Sequence, residues 1–170
     1  MNLKDVIRTI PDYPIEGVLF RDITTVLKDK DALKKSVDEI VKTLENIEFD
    51  YVLGPESRGF IFAMPIAYNM NKGFIPVRKA GKLPAETISK EYDLEYGSST
   101  LEIHKDALKK GDKVIIVDDL LATGGTCKAI IELVESIGVE VVSLNFFIEL
   151  EELNGRETLG NYNISSVVKY

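Results

Sequence analysis

The chain has 170 residues, of which 45% are hydrophobic and 29% charged. These values are ordinary for a globular protein: they exclude disorder as the default and indicate one domain, residues 1–170, whose core needs no disulfide or structural metal. The 28 acidic and 21 basic residues give a net charge of -7, which argues against broad nucleic-acid binding and against a polybasic membrane surface.

The cysteine and histidine content excludes two further kinds of site. Cys127 is the only cysteine and His104 the only histidine, so neither an internal disulfide nor a zinc site built from these side chains can form. The first residues contain no apolar signal region, and no apolar run reaches the roughly 20 residues that a membrane-spanning helix needs. We therefore expect a cytoplasmic protein that does not associate with membranes.

The opening of the chain predicts a short helix over residues 3–10, because apolar residues recur there at helical spacing. Prolines at positions 11 and 14 end this helix, and the segment to Gly17 is predicted to be a loop. A second, amphipathic helix is predicted over 33–44, where charged residues separate the apolar positions.

Two strands with a helix between them are predicted next. Residues 51–53 are an apolar run typical of a buried strand, and residues 74–77 are typical of a second one. Residues 57–70 between them fit a helix with Ser57 at its N-cap, although Gly59 weakens that prediction.

The second half of the chain indicates an α/β fold. The basic segment 78–82 is too interrupted by glycine for a helix, and residues 84–104 predict a hairpin or a long mobile loop. Residues 114–117 are β-branched throughout, which is the pattern of a strand covered on both faces. A helix over 126–137 and a strand over 139–148 follow, and this alternation predicts a mainly parallel sheet.

The most informative segment is residues 114–126, in which two acids and a glycine-rich turn follow the apolar strand. Asp118 and Asp119 are predicted to lie at the carboxyl end of a parallel strand, where ligands bind. The next turn, residues 123–126, reads Thr-Gly-Gly-Thr. Its amides converge at a helix N-terminus, which suits a phosphate monoester. Carboxylates repel phosphate but accept hydrogen bonds from sugar hydroxyls, so the combination predicts a ribose 5-phosphate pocket.

A less specific interpretation of the same segment is a strand–turn–helix junction with solvated acids. A Walker loop is absent from the sequence, and so is the Gly-x-Gly-x-x-Gly dinucleotide fingerprint.

The segment resembles the phosphoribosyl-pyrophosphate motif of type I phosphoribosyltransferases. From about residue 10 onward, further segments resemble the adenine phosphoribosyltransferase family in the same order; they are 17–23, 57–60, 78–84, 94–97 and 101–107. The resemblance implies a mainly parallel sheet flanked by helices, a small N-terminal hood and a flexible loop over the site. It also implies a reaction of purine salvage, in which adenine and phosphoribosyl pyrophosphate give AMP and pyrophosphate.

The resemblance assigns the binding of phosphoribosyl pyrophosphate to loop, acidic and basic residues. The loop would hold the 5-phosphate, the acids the ribose hydroxyls, and the basic residues the pyrophosphate. The residues are Asp118, Asp119, Ala122, Thr123, Gly124, Gly125, Thr126, Arg58, Arg78, Lys79, Lys82 and His104. The alternatives are a solvated surface cluster for the basic side chains and a structural role for His104.

The resemblance assigns catalysis to a loop that family members close over their substrates. Glu95 would act there as a general acid or base at an imidazole-ring nitrogen of the purine, with Tyr96 packed near the ribose and pyrophosphate. Adenine would stack on Phe20, and the backbone near Leu19 and Arg21 would read the edge of the base. The alternatives are a solvent-facing hairpin acid at position 95 and simple core packing at position 20.

The resemblance further implies Mg²⁺ and a homodimer. The Mg²⁺ ion would be carried mainly by substrate oxygens and water, and no direct protein ligand is named. Cys127 directly follows the motif, and a small buried residue is favoured there over a reactive thiolate.

Three other functions stay open at this point: a transferase for another nucleobase, a non-catalytic regulator of the same fold that senses phosphoribosyl pyrophosphate, and a generic phosphate-binding domain. A regulator would need an appended helix-turn-helix domain or a basic face. This sequence offers neither spare length nor a positive net charge.

Overall fold

A computed structural model describes residues 1–94 and 96–170, which leaves Glu95 outside the described residues. The helices are α1 (Leu3–Val6), α2 (Thr24–Lys28), α3 (Lys30–Leu44), α4 (Arg58–Asn69), α5 (Gly125–Glu135) and α6 (Gly155–Leu159), with a 3₁₀ turn at Glu151–Leu153. The strands are β1 (Arg8–Pro11), β2 (Leu19–Asp22), β3 (Tyr51–Pro55), β4 (Gly73–Lys79), β5 (Thr87–Asp93), β6 (Ser98–His104), β7 (Lys113–Leu121), β8 (Glu140–Glu149) and β9 (Ile164–Lys169). Within the described residues, no helix combines the length and apolar character that crossing a membrane requires.

A seven-stranded sheet with the order β5-β6-β4-β3-β7-β8-β9 forms the centre of the molecule. Neighbouring strands from β4 to β9 in this order run parallel, while β5 and β6 form an antiparallel hairpin at one edge. Side chains of β7 alternate between two hydrophobic clusters: Ile116 packs in the cluster that contains α5, and Ile115 packs in the cluster that contains α3 and α4. The prediction of a mainly parallel sheet flanked by helices is confirmed.

The beginning of the chain differs from its prediction. The helix ends at Val6, and Arg8–Pro11 forms a strand that pairs antiparallel with Leu19–Asp22. The prediction of a helix over 3–10 is therefore wrong beyond Val6. Apolar spacing reports only local periodicity, whereas these residues bond to a strand further along the chain. Together α1, β1 and β2 form the small layer that we call the hood.

The middle and end of the chain agree with the prediction in element type and differ in extent. The hairpin alternative for 84–104 is the one observed, with β5 and β6 paired from Thr87↔His104 to Asp93↔Ser98. The ends of α5 and β8 lie within two residues of their predicted positions. Strand β7 continues to Leu121, so the acidic pair lies on the strand and not after it.

Asp22 joins the end of β2 to both of its neighbours. Its carboxylate accepts hydrogen bonds from Arg8 Nε at 2.9 Å, from the Thr24 amide at 2.9 Å and from Thr24 Oγ1 at 2.7 Å. The hydrogen bonds from Thr24, and then that from Arg8, lower the pKa of Asp22 from 3.8 to about 2. The ionised carboxylate therefore stabilises the hood.

The substitution Asp22→Asn is expected to lower the free energy of unfolding near pH 7 by at most about 2 kcal/mol, since its ion-pair partner Arg8 is 58% exposed to solvent. The pKa of Asp22 is lower in the folded state than in the unfolded state. Its contribution is therefore complete above about pH 4 and is lost as the pH falls toward about 2. Urea unfolding at several pH values measures this, and a wild-type advantage that persists undiminished near pH 2 would contradict the assignment.

Candidate active site

The two acids of β7 lie at the carboxyl edge of the sheet. Strand β7 pairs with β8 as far as Leu121 but with β3 only as far as Ile116, so Asp118 and Asp119 extend past the end of that pairing. The start of α4 approaches them closely: a Cβ atom on Gly59 would lie 2.9 Å from Asp118 Oδ1. The glycine that weakens the helix prediction is therefore required where α4 meets the acidic pair.

The acidic pair is held by one cation and one amide. Arg58 Nε lies 2.7 Å from Asp119 Oδ2, and the Asp119 amide donates to Asp118 Oδ1 at 2.8 Å. Burial, together with the adjacent Asp119 carboxylate, raises the pKa of Asp118 well above its usual value. The pair is a local excess of negative charge, which favours a cation or a cationic reaction intermediate nearby.

The turn after β7 directs backbone amides toward the same edge. Gly124 has a φ of +88°, and α5 begins at Gly125. Because Gly124 has no side chain to cap the helix, the amides of its first turn can bind an anion. Helix α6 braces this turn from behind: a Cβ atom on Gly155 would lie 2.5 Å from the Ala122 carbonyl oxygen.

Two adjoining cavities open at this edge. The first is lined by Arg58, Asp118, Asp119, Leu120, Leu121, Ala122, Thr123, Gly124, Gly125, Thr126, Cys127 and Phe146. The second is lined by Pro55, Glu56, Ser57, Arg58, Lys79, Asp118, Asp119 and Thr126. Because the two share Arg58, the acidic pair and Thr126, they form one site that combines the predicted phosphate loop, the acidic pair and two of the predicted basic residues.

Three of the predicted basic residues line neither cavity. Arg78 Nη1 donates to the Lys82 carbonyl oxygen at 3.5 Å, and the Lys82 side chain is exposed. His104 lies at the end of β6, where its Nε2 accepts a hydrogen bond from the Ala85 amide at 3.4 Å. Their assignment to pyrophosphate binding stays a prediction.

Glu56 is a site residue that the sequence analysis left without a role. Its Oε1 accepts hydrogen bonds from the Lys79 amide at 2.8 Å and from Arg78 Nε at 3.2 Å. The carboxylate thus ties the β3–α4 loop to the basic end of β4. No local motif marks such a residue, because the contact depends on the parallel pairing Pro55↔Val77.

The hood places an aromatic side chain beside the cation of the cavity. The Phe20 ring centroid lies 5.9 Å from Arg58 Cζ, and the Tyr13 ring packs edge-on against Phe20 at 5.1 Å. Tyr13 was not predicted as part of the site, since a half-exposed tyrosine in a proline-flanked loop carries no signal. Leu19 is 53% exposed, and the Arg21 side chain points to Thr9 and Tyr170.

Of the predicted catalytic pair, Tyr96 follows β5 in the chain and is 88% exposed, whereas Glu95 lies outside the described residues. Both roles stay predictions. Cys127 lies in the first turn of α5 and is buried. Burial raises the pKa of its thiol, so Cys127 is a packing residue and not a reactive thiolate.

Metal-binding side chains are sparse at this edge. Across the part of the chain that the structure describes, no group of three or more His, Cys, Asp and Glu side chains is arranged to hold a metal ion. Asp118 and Asp119 nevertheless offer carboxylate oxygens, the ligand type that Mg²⁺ prefers. Their unfavourable mutual repulsion would be relieved by a divalent cation, so the residues fit a metal that a substrate brings with it.

The fold and site define a protein that binds a phosphorylated ribose, and comparison with known proteins agrees. Residues 23–161 match the family model of the phosphoribosyl transferase domain. An adenine phosphoribosyltransferase from Clostridium novyi is 62% identical over 170 residues, covering 100% of this chain and 99% of the relative.

Solved structures show the same likeness. The adenine phosphoribosyltransferase of Thermoanaerobacter pseudethanolicus has a TM-score of 0.96 and 54% identity, covering 99% of this chain and 98% of that chain. The Saccharomyces cerevisiae structure, a complex with adenine and an imino-altritol bisphosphate, has a TM-score of 0.90 and 39% identity, covering 97% and 96%. The chain belongs to the adenine phosphoribosyltransferase family.

The raised pKa of Asp118 predicts a conflict between stability and activity. Because the pKa of Asp118 is raised, this carboxyl destabilises the folded state at pH values above its usual pKa, including pH 7, and Asp118→Asn removes the titratable group while keeping an acceptor for the Asp119 amide. We expect the melting temperature to rise by about 2–4 °C for each 1 kcal/mol gained, and turnover to fall about a hundredfold.

A matched control is Asp112→Asn at the opposite end of β7. Asp112 is buried and accepts a hydrogen bond from the Lys109 amide at 2.9 Å. Asparagine keeps this acceptor as well, so this variant should change its melting temperature little and keep its turnover. Thermal unfolding and initial rates test both variants, and a lower melting temperature for Asp118→Asn would contradict the charge assignment.

Proposed function

We propose that the protein transfers the phosphoribosyl group of phosphoribosyl pyrophosphate to adenine, releasing AMP and pyrophosphate in purine salvage. The observation that carries the proposal is the site formed by the two adjoining cavities, in which the phosphate loop, the acidic pair and Arg58 meet, with Phe20 of the hood beside Arg58. Each part suits a different part of the two substrates.

The phosphate loop and the acidic pair suit the ribose 5-phosphate. The amides at the start of α5, with the hydroxyls of Thr123 and Thr126, would bind the phosphate oxygens. Asp118 and Asp119 would accept hydrogen bonds from the ribose hydroxyls. Ala122 and Gly125 complete the loop. The methyl side chain of Ala122 and the absence of a side chain at Gly125 leave room for the phosphate.

The basic residues of the second cavity suit the pyrophosphate. Arg58 is half exposed and contacts Asp119 through Nε, and its planar guanidinium can bind phosphate oxygens with two donors at once. Lys79 lines the same cavity as a point charge. Arg78, Lys82 and His104 are proposed to complete this set by family resemblance.

Mg²⁺ is the proposed cofactor, carried mainly by substrate and water oxygens. When bound, it would neutralise charge on the leaving pyrophosphate. The carboxylates of Asp118 and Asp119 are the residues of the cavity that would face it, and relief of their repulsion supports this placement.

The protein's own residues would contribute to the reaction by stabilising charge and by transferring a proton. As the bond from the anomeric carbon to pyrophosphate breaks, positive charge develops on the ribose, and the negative acidic pair stabilises it. As an imidazole-ring nitrogen of adenine bonds to the anomeric carbon, Glu95 would accept the proton that the ring loses, and it would return that proton in the reverse reaction. Tyr96, next to it, would help to exclude water when the hairpin closes.

The hood is proposed to bind adenine. Phe20 would stack on the base, and Tyr13, packed edge-on against that ring, would hold it in position. The backbone near Leu19 and Arg21 would read the base edge. The Arg21 side chain contacts Thr9 and Tyr170 instead. This supports a role for the backbone of Arg21, and not for its side chain, in binding the base.

Three broader properties complete the proposal: a single domain over residues 1–170, a homodimer and a cytoplasmic location. The single domain is supported by the one central sheet, whose two faces are covered by helices from both halves of the chain. The homodimer rests on family resemblance, with the basic segment 78–82 close to the partner's site. The cytoplasmic location rests on the sequence analysis.

The proposed function predicts selective AMP formation. The purified protein is incubated with phosphoribosyl pyrophosphate, Mg²⁺ and one nucleobase at a time, and nucleotides are separated by chromatography. Adenine should give AMP at a rate at least about a hundredfold above hypoxanthine, guanine, xanthine or orotate, because a site built for one hydrogen-bonding edge rejects others strongly. Product from another base alone would reassign the substrate, and no product from any base would favour a regulator that only senses phosphoribosyl pyrophosphate.

A further inference from the structure

The ring of Tyr170 contacts two cationic side chains of the hood. Its ring centroid is 3.8 Å from Arg21 Cζ and 4.6 Å from Lys4 Nζ. Arg21 belongs to β2 and Lys4 to α1, so one aromatic ring contacts two elements of the hood. A guanidinium at this distance is attracted by the ring face, and the attraction is stronger when the group is partly desolvated.

The backbone of Tyr170 is fixed to the main sheet. Its amide donates to the Glu149 carbonyl oxygen at 3.0 Å, and its carbonyl oxygen accepts from the Glu151 amide at 2.9 Å. Glu149 is the last residue of β8 and Glu151 begins the 3₁₀ turn that follows, at the same edge of the sheet as the phosphate loop. The ring also packs on the hydrophobic cluster that contains Leu3 and Ile7 of the hood. Tyr170 is thus a direct connection between the central sheet and the hood.

The Arg21 guanidinium depends on this ring for its position. Arg21 Nη1 donates to Thr9 Oγ1 at 2.6 Å, but its Nε is buried without a hydrogen-bond partner among the described residues. A buried donor without a partner is unfavourable, and the stacking on Tyr170 offsets this cost. The guanidinium is therefore oriented by one hydroxyl and one aromatic face.

We propose that Tyr170 is a positioning residue for adenine, which holds β2 at the distance from the sheet that lets Phe20 and its neighbours bind the base. The proposal rests on the proposed function of the hood. Arg21 directly follows Phe20 on a four-residue strand, so a displacement of the guanidinium moves the stacking ring. The phosphate loop lies on β7 and α5 and does not use this connection, so the binding of phosphoribosyl pyrophosphate should not depend on Tyr170.

The test compares KM values for the two substrates in three variants. Tyr170→Leu keeps an apolar side chain but removes the aromatic face, and it should raise the KM for adenine about tenfold while changing the KM for phosphoribosyl pyrophosphate less than about twofold. Tyr170→Phe keeps the ring and should restore the wild-type KM for adenine.

The matched control is Val168→Ala. Val168 is a buried residue of β9 that packs in the same hydrophobic cluster without contacting the cations. It should lower the melting temperature and leave both KM values unchanged.

The outcomes distinguish a failure of the positioning role of Tyr170 from a failure of the proposed function. Wild-type protein that forms no AMP from adenine refutes the function itself. If the wild type is active, an unchanged KM for adenine in Tyr170→Leu refutes the positioning role. An equal rise in both KM values also refutes it, since that would mean a general loss of structure.

Discussion

The ion pair between Arg58 and Asp119 is the interaction around which the site is built. It joins the start of α4 to the end of β7 and offsets part of the repulsion between two adjacent carboxylates. Residues of the same two elements line both cavities, so the ion pair lies where the two cavities adjoin. The proposed binding of a polyphosphate by a chain with a net charge of -7 would depend on the cations and amides that are concentrated at this edge of the sheet, beside the acidic pair.

The parts of the structure that are proposed to bind the two substrates differ in how they are supported. The phosphate loop is built into the sheet, between β7 and α5, and is braced by the backbone of α6 at Gly155. The hood is a two-stranded layer fastened at its margins, by Asp22 at one end of β2 and by the contact between Arg21 and Tyr170. The proposed mechanism needs this division, since the anionic substrate must be held firmly while the base is presented to its anomeric carbon.

The sequence predicts those parts of the site whose chemistry is local. Asp118, Asp119 and the glycine turn follow one another within a single strand–turn–helix unit, so their spacing is sufficient to place them. Glu56, Tyr13 and Tyr170 act through partners that are distant in the chain, and no local pattern marks them. The same reason explains why the helix prediction for residues 8–10 is wrong and why β9 is not predicted, since strand pairing depends on partners that local periodicity does not reveal.

A crystal structure of the protein with AMP would show whether one site holds the three parts of the product in the proposed order. We expect the phosphate against the amides of Thr123 to Thr126, the ribose hydroxyls on the carboxylates of Asp118 and Asp119, and adenine against the ring of Phe20. A phosphate bound away from the β7–α5 turn, or a base that does not touch the hood, would contradict it.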